Sequence, residues 1–137
     1  MRVLIIDDDE AVRLATKIAL DASGFDVVTV EDGKSGVHAV REGQFDVVIV
    51  DLFMSGMDGL KTATAIRELS PRMPIIAASG FMFGGDCPDM PGFEAMAVEA
   101  GATLALYKPF RPKELVQAIH KAIDAAAQNQ SSQGVCP

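Results

Sequence analysis

Five short apolar runs, each followed by a stretch of helical character, dominate the hydrophobic pattern of the chain. The runs are rich in β-branched residues and are apolar throughout, as is typical of strands covered on both faces. They are Val3–Ile6, Val27–Val30, Val47–Val50, Ile75–Ala78 and Leu104–Leu106. The pattern predicts one doubly wound α/β domain, in which a five-stranded parallel sheet has right-handed crossovers and helices on both faces.

Helix start signals follow the apolar runs. Predicted N-caps or opening residues precede three of the helices: Asp9, Asp32 and Asp58. The first helix carries three apolar residues at helical spacing: Leu14, Ile18 and Ala22. The later helices are predicted near residues 33–43, 58–69, 93–100 and 112–127.

Two segments interrupt this alternation. Gly80–Gly92 contains four glycines and two prolines, which predicts a long mobile loop before the fourth helix. Gln128–Pro137 is polar and of low complexity, so we expect a disordered tail or a linker. The sequence therefore predicts a single domain over residues 1–127 and a tail over residues 128–137.

The composition narrows the class of protein. The formal net charge is −7, so we expect no direct contact with nucleic acid, whose phosphates this chain would repel. The two cysteines, Cys87 and Cys136, are far apart and predict neither a metal site nor a disulfide framework. Apolar runs are shorter than the roughly 18 residues of a membrane span, and the N-terminus lacks a signal peptide pattern. We therefore expect a cytoplasmic domain without membrane contact.

Polar residues follow the predicted strands where each strand ends. Asp7 and Asp8 follow the first strand, Asp51 follows the third, Ser79 follows the fourth, and Lys108 lies just beyond the fifth. Because the carboxyl ends of parallel strands share one edge of a sheet, we expect these side chains to converge there.

The chemistry of this set indicates phosphoryl transfer. Carboxylates about 4 Å apart repel by roughly 4 kcal/mol per pair at an effective dielectric of 20. Mg²⁺ removes that repulsion and takes phosphate oxygens as further ligands. One carboxylate could then attack a phosphoryl donor, while Lys108 and the Ser79 hydroxyl stabilise charge on the transferred group.

Five motifs, in this order along the chain, resemble the CheY-like receiver domain of bacterial two-component response regulators. They are Val3–Asp9, Ile49–Met54, Met57–Gly59, Pro74–Ser79 and Lys108–Phe110. The resemblance spans roughly residues 1–125 and implies the flavodoxin-like (βα)5 fold.

The resemblance also implies a role for each site residue. Asp51 would be the phosphoacceptor, and Asp7 and Asp8 would bind Mg²⁺ with Asp51 and the backbone carbonyl of Phe53. Ser79 would occupy the switch position, and Lys108 would pair with Asp51 or its phosphate. The implied donor is a sensor histidine kinase or a histidine phosphotransfer protein, and the implied readout is a conformational change that a downstream protein target binds.

The chain departs from the family pattern at three places. Ser55 stands where the family usually has proline, and Ala105 stands where many members carry the aromatic residue that rotates inward on activation. The glycine-rich segment before the fourth helix is longer than usual. The usual aromatic switch is therefore not predicted by this sequence.

Alternative interpretations of the same residues stay open at this point. The run Asp7–Glu10 also fits a solvated helix start, and Asp9 and Glu10 are assigned to that role. A Mg²⁺-dependent phosphohydrolase is disfavoured because Phe53 stands where such enzymes commonly place a second acid. A flavodoxin-like redox protein would need a phosphate-binding loop that the sequence lacks. We therefore expect a phosphorylatable signalling module, either a stand-alone regulator or part of a longer hybrid protein, and not a turnover enzyme.

Overall fold

Strands and helices alternate along the whole described chain. The computed structural model describes residues 1–52, 59–79, 93–107 and 110–135, without the side chains of residues 79, 93, 94 and 129–135. The strands are β1 (Arg2–Ile6), β2 (Asp26–Val30), β3 (Val47–Asp51), β4 (Ile75–Ser79) and β5 (Leu104–Tyr107). The helices are α1 (Glu10–Ala22), α2 (Gly33–Glu42), α3 (Gly59–Leu69), α4 (Phe93–Glu99) and α5 (Pro112–Val135). The predicted mobile loop Gly80–Gly92 lies outside the described residues.

The strands form one parallel sheet in the order β2-β1-β3-β4-β5. β3 is central, and its five residues are all buried. It pairs with β1 through Val3↔Val47 onwards and with β4 through Val48↔Ile75 onwards. The predicted doubly wound (βα)5 fold is confirmed, and the carboxyl ends of all five strands lie at one edge of the sheet.

Alternate residues of each inner strand enter one of two apolar layers. Leu4, Ile6, Val48 and Val50 pack on the side of α2, α3 and α4. Val3, Ile5, Val47 and Ile49 pack on the side of α1 and α5. Full burial of one such side chain contributes about 1.5–3 kcal/mol, so continuous apolar runs are required wherever both faces of a strand are covered.

Two aspartates cap helices as the sequence predicts. The Asp9 carboxylate accepts hydrogen bonds from the backbone N–H groups of Ala11 and Val12, at 2.9 and 3.2 Å. The Asp32 carboxylate accepts one from the Ser35 N–H at 2.7 Å, and this bond lowers the pKa of Asp32 below its ordinary value. These bonds satisfy N–H groups that have no partner within the helix. The predicted cap at Asp58 lies outside the described residues.

The apolar residues that indicate α1 do not form its buried face. Leu14 and Ile18 are 59% and 60% exposed, whereas the buried residues of this helix are Thr16 and Leu20. Helical spacing relates side chains to one another but does not say which side of the helix meets the sheet. Two large apolar side chains therefore face outward on α1, the helix that begins at the carboxyl edge of the sheet.

Helix α5 is longer than predicted. Its helical backbone continues past Ala127 to Val135. Residues 128–135 contain no proline, so nothing in that stretch prevents the backbone hydrogen bonds from continuing. Among the described residues no helix is long and apolar enough to cross a lipid bilayer. The division into a domain of residues 1–127 and a tail of residues 128–137 stays a prediction.

The start of α3 touches the end of β3 at Gly59. This glycine is buried, and a Cβ added to it would meet the backbone of Asp51 and Leu52, including the Asp51 carbonyl oxygen. Any side chain there would push α3 away from the end of β3, where Asp51 lies. Gly59 therefore permits a helix-to-strand contact that no other residue allows.

We expect Gly59→Ala to lower the free energy of unfolding by about 3 kcal/mol, because its methyl group meets backbone atoms that cannot rotate away. Urea denaturation followed by circular dichroism measures this change. Gly43→Ala is the matched control, since its nearest contact is the Ala39 carbonyl oxygen at 3.2 Å and its φ is −125°. Equal denaturation midpoints for the two variants would contradict the role given to Gly59.

Candidate functional site

Three carboxylates meet at the carboxyl edge of the sheet. Asp7 directly follows β1, Asp8 comes next, and Asp51 is the last residue of β3. One carboxylate oxygen from each of the three lies within 4.8 Å of the other two. Asp7 and Asp51 are 3% and 5% exposed, whereas Asp8 is exposed to solvent. The cluster thus has a buried base and one open side.

Backbone pairing and local hydrogen bonds hold Asp7 in place. Its N–H donates to the Val30 carbonyl oxygen at 3.2 Å, which extends the pairing of β1 with β2 by one residue. Its carboxylate accepts a bond from the Asp9 N–H at 2.9 Å. The Arg13 guanidinium donates to the Asp7 carbonyl oxygen at 2.8 Å. The turn between β1 and α1 is therefore fixed by both main-chain and side-chain donors.

The register of β3, β4 and β5 sets the positions of the remaining site residues. Asp51 pairs with Ala78, so Ser79 lies one residue further along the neighbouring strand. Ser79 itself pairs with Tyr107, the last residue of β5. The side chain of Ser79 lies outside the described part of the chain, as do Phe53 and Lys108 in full. Their predicted roles stay predictions.

The carboxylates of the two residues assigned to the helix start do not belong to the cluster of three. Asp9 uses its carboxylate to cap α1, and Glu10 is an exposed acid in the first turn of that helix. Arg13 was not among the predicted site residues, yet its guanidinium lies against the backbone carbonyl of Asp7, one of the three acids. Its place early in α1, five residues after Asp8, could have indicated this contact. The sequence alone, however, does not tell where a long flexible side chain points.

The donor set is of the kind that binds a hard divalent cation. Mg²⁺ prefers carboxylate oxygen ligands and keeps several water molecules, which requires an open side such as the one next to Asp8. Within the described residues the carboxylates converge closely enough for one ion to contact all of them. Without a cation, like charges this close repel one another.

Comparisons with known proteins agree on one family. A family profile described as the response regulator receiver domain matches residues 3–120. The DNA-binding response regulator MtrA of Mycolicibacterium paratuberculosis is 35% identical over 115 residues, which are 84% of this chain and 48% of MtrA. The transcriptional regulatory protein GlrR of Escherichia coli is 32% identical over 125 residues, which are 91% of this chain and 27% of GlrR. The chain therefore spans about half the length of MtrA and about a quarter of the length of GlrR.

Solved structures agree with the fold. The chemotaxis protein CheY4 of Vibrio cholerae is 28% identical, with a TM-score of 0.78 over 88% of this chain and 97% of that one. A CheY-like receiver domain protein of Methanospirillum hungatei has a TM-score of 0.81 over 93% of this chain and 97% of its own, at 24% identity. At 24% identity, the similarity to the Methanospirillum hungatei protein supports the fold and nothing further.

We expect Asp8→Asn to raise the free energy of unfolding by about 1 kcal/mol in the absence of divalent cations, because it removes like-charge repulsion at a water-exposed position. Thermal denaturation in a chelating buffer measures the change. Glu10→Gln is the matched control, because it also removes one exposed negative charge. Glu10 interacts favourably with the positive end of the α1 dipole, so this substitution should slightly lower the free energy of unfolding. A lower midpoint for Asp8→Asn would show that repulsion in the cluster is not a cost to folding.

Proposed function

Because the chain belongs to the family of response regulator receiver domains, we propose that it accepts a phosphoryl group on Asp51 and signals by changing conformation. The observation that carries this proposal is the cluster of Asp7, Asp8 and Asp51 within 4.8 Å at the carboxyl edge of the sheet. Asp51 ends the central strand, next to the strand that ends in Ser79. Acceptor and stabilising groups would thus be presented by adjacent strands.

The proposed transfer is a displacement at phosphorus. A carboxylate oxygen of Asp51 forms a bond to phosphorus while the bond from phosphorus to a donor histidine nitrogen breaks, and the nitrogen keeps the electron pair. Lys108 and the Ser79 hydroxyl would stabilise charge on the equatorial oxygens. The burial of Asp51 keeps bulk water from the acyl phosphate that forms. The chain itself therefore supplies the nucleophile and most of the stabilising groups.

The three acids are the proposed ligands of Mg²⁺, together with the backbone carbonyl of Phe53. The bound ion would offset the charge of the acids and the incoming phosphate. Asp7 is fixed by its contacts with Asp9 and Arg13, so its role is to hold the ligand geometry. Exposed Asp8 completes the set from the open side of the site. A bound ion held in this way would offset the repulsion within the like-charged cluster.

Incubation with acetyl phosphate and Mg²⁺ should add one phosphoryl group to the chain, detected by intact mass and stable to acid but labile to base. Asp51→Asn should abolish the label because the nucleophile is gone. Asp8→Asn should abolish or strongly reduce it because a ligand for the ion is gone. Chelation of Mg²⁺ should have the same effect on the unmodified chain.

Glu10→Gln is the control for the loss of one negative charge near the site, and it should be labelled as the unmodified chain is. Undiminished labelling of Asp8→Asn in Mg²⁺ would contradict the proposed metal site. Undiminished labelling of Asp51→Asn would contradict the proposed acceptor. Turnover of acetyl phosphate without an accumulating label would favour a phosphohydrolase instead.

The outward face of α1 is the surface we assign to the histidine-bearing donor. Leu14 and Ile18 are both more than half exposed and lie on the helix that begins next to Asp7 and Asp8. A groove of about 130 Å³ between α1 and α5 lies on the same helix, lined by Ala15, Thr16, Ala19, Phe110, Pro112 and Leu115. Exposed apolar side chains beside a groove are typical of protein interfaces. The donor would be a sensor histidine kinase or a histidine phosphotransfer protein.

The double variant Leu14→Ala and Ile18→Ala should slow phosphotransfer from a cognate phosphohistidine donor by about tenfold or more, as expected for the loss of central interface residues. Labelling by acetyl phosphate should be unchanged, because the small donor needs no docking surface. Leu69→Ala is the matched control, since Leu69 is 42% exposed on α3 and far along the chain from the site. Equal slowing with both donors would locate the defect in the site and not in docking.

The downstream readout is proposed to be contact with a protein target in the cytoplasm. DNA binding appears in the name of MtrA, which is about twice the length of the matched segment. A net charge of −7 argues against direct contact of the present 137 residues with nucleic acid, and this stays a prediction.

A further inference from the structure

A pocket of about 660 Å³ lies at the amino edge of the sheet, opposite to the edge that carries Asp7, Asp8 and Asp51. It is bounded by the ends of α2 and α3 and by the segments that lead into β3 and β4. Its volume falls in the range of small-molecule sites, roughly 300–1,000 Å³. This amino-edge pocket is therefore large enough for a ligand and is separate from the proposed phosphorylation site.

The floor of the amino-edge pocket is apolar. Val40 and Met73 are each 8% exposed and belong to the core layer on the side of α2, α3 and α4. Phe45 packs against the same layer, and Leu69, which is 42% exposed, lines the pocket from the last position of α3. A molecule seated here would remove apolar surface from water, which is favourable. The floor thus suits a ligand with an apolar body.

Arg2 fixes the wall of the pocket that leads into β3. Its backbone N–H donates to the Asp46 carboxylate at 2.7 Å, and its guanidinium donates to the Gln44 carbonyl oxygen at 3.2 Å. The guanidinium also lies 4.8 Å from the centre of the Phe45 ring and pairs with Asp26 at 3.2 Å. The charge of Arg2 is thus offset within the chain, and its main role here is to hold the wall.

Arg67 fixes the opposite wall, the segment between α3 and β4. Its guanidinium donates to the Pro71 carbonyl oxygen at 2.7 Å and to that of Ser70 at 3.3 Å. It also donates to the Gly101 carbonyl oxygen, at 2.7 and 3.0 Å, which ties this segment to the turn before β5. Both walls are therefore held without a ligand, and a preformed site lowers the free-energy cost of binding.

Arg41 supplies the charge that a ligand can use. It lines the pocket from the last turn of α2, and its exposed side chain has no salt bridge with any residue that the structure describes. The ionisable residues of the lining are Arg2, Arg41 and Asp46, so two cations and one anion leave a net charge of +1. The chain as a whole carries −7. The amino-edge pocket is therefore a place where this acidic domain favours an anion.

We propose that the amino-edge pocket binds a small organic carboxylate with an apolar body. The planar guanidinium of Arg41 presents a fork of N–H donors that matches the two oxygens of a carboxylate. The apolar body lies against Val40, Leu69 and Met73. The inference does not rest on the proposed function, because the pocket shares no residue with the cluster of Asp7, Asp8 and Asp51.

Two probes that share one aromatic body separate the roles of charge and apolar contact: 1-naphthaleneacetate and its neutral amide, 1-naphthaleneacetamide. In a titration followed by ¹H–¹⁵N NMR, both should give saturable shifts at the amides of Gly43, Phe45 and Met73. The carboxylate should bind about fivefold more tightly than the amide at low ionic strength, as expected for one exposed charge pair. Equal affinities, shifts that do not saturate, or shifts confined to the groove between α1 and α5 would overturn the inference.

Three variants test the assigned contacts, and all three positions are exposed, so the fold should be retained. Arg41→Gln should abolish the fivefold difference and leave the affinity for the amide unchanged, because only the charge is lost. Leu69→Asn should weaken both probes by a similar factor, because the apolar body loses a contact. Arg72→Gln is the matched control, since Arg72 is an exposed arginine just before β4 that does not line the pocket. A fivefold difference that survives Arg41→Gln, or that is equally lost in Arg72→Gln, would overturn the proposal.

Discussion

Parallel pairing of β1 with β3 holds two nearly buried carboxylates, Asp7 and Asp51, at one edge of the sheet. Their closeness is unfavourable in itself, because like charges away from bulk water repel strongly. It persists because each aspartate continues a strand whose apolar residues are almost fully buried on both faces. The burial of those strands outweighs the local repulsion and leaves a site whose charge favours a divalent cation.

Much of the surrounding structure supports that edge. Gly59 lets α3 approach the backbone of Asp51, and the N-cap at Asp9 starts α1 directly after the acids. Arg13 returns from α1 to the Asp7 carbonyl oxygen and fixes the turn between them. These contacts join residues that are close in sequence, and they act on the backbone. They therefore position the carboxylates and leave the open side of the cluster accessible.

The two layers of the domain differ in the surfaces they present. The layer of α1 carries exposed Leu14 and Ile18, which under the proposed function suit a docked phosphodonor. The layer of α4 packs against the sheet through Ala97 and Ala100, which are 2% exposed. Both layers pack on β3, the strand that ends in Asp51.

The order of strands and helices, the N-caps at Asp9 and Asp32, and the convergence of Asp7, Asp8 and Asp51 followed from the sequence alone. Each depends on local chemistry or on the general rule that parallel strands end at one edge. The tertiary structure decided which side of α1 is buried, how far α5 runs, and which residue lies beside Ser79. It also revealed Arg13 and the close contact at Gly59. The buried face of α1 and the neighbour of Ser79 depend on packing between elements distant in sequence, and hydrophobic periodicity carries no information about the partner that a given face will meet. The contacts of Arg13 and Gly59 join residues near in sequence, but they depend on side-chain direction and on the path of the backbone, which periodicity does not specify.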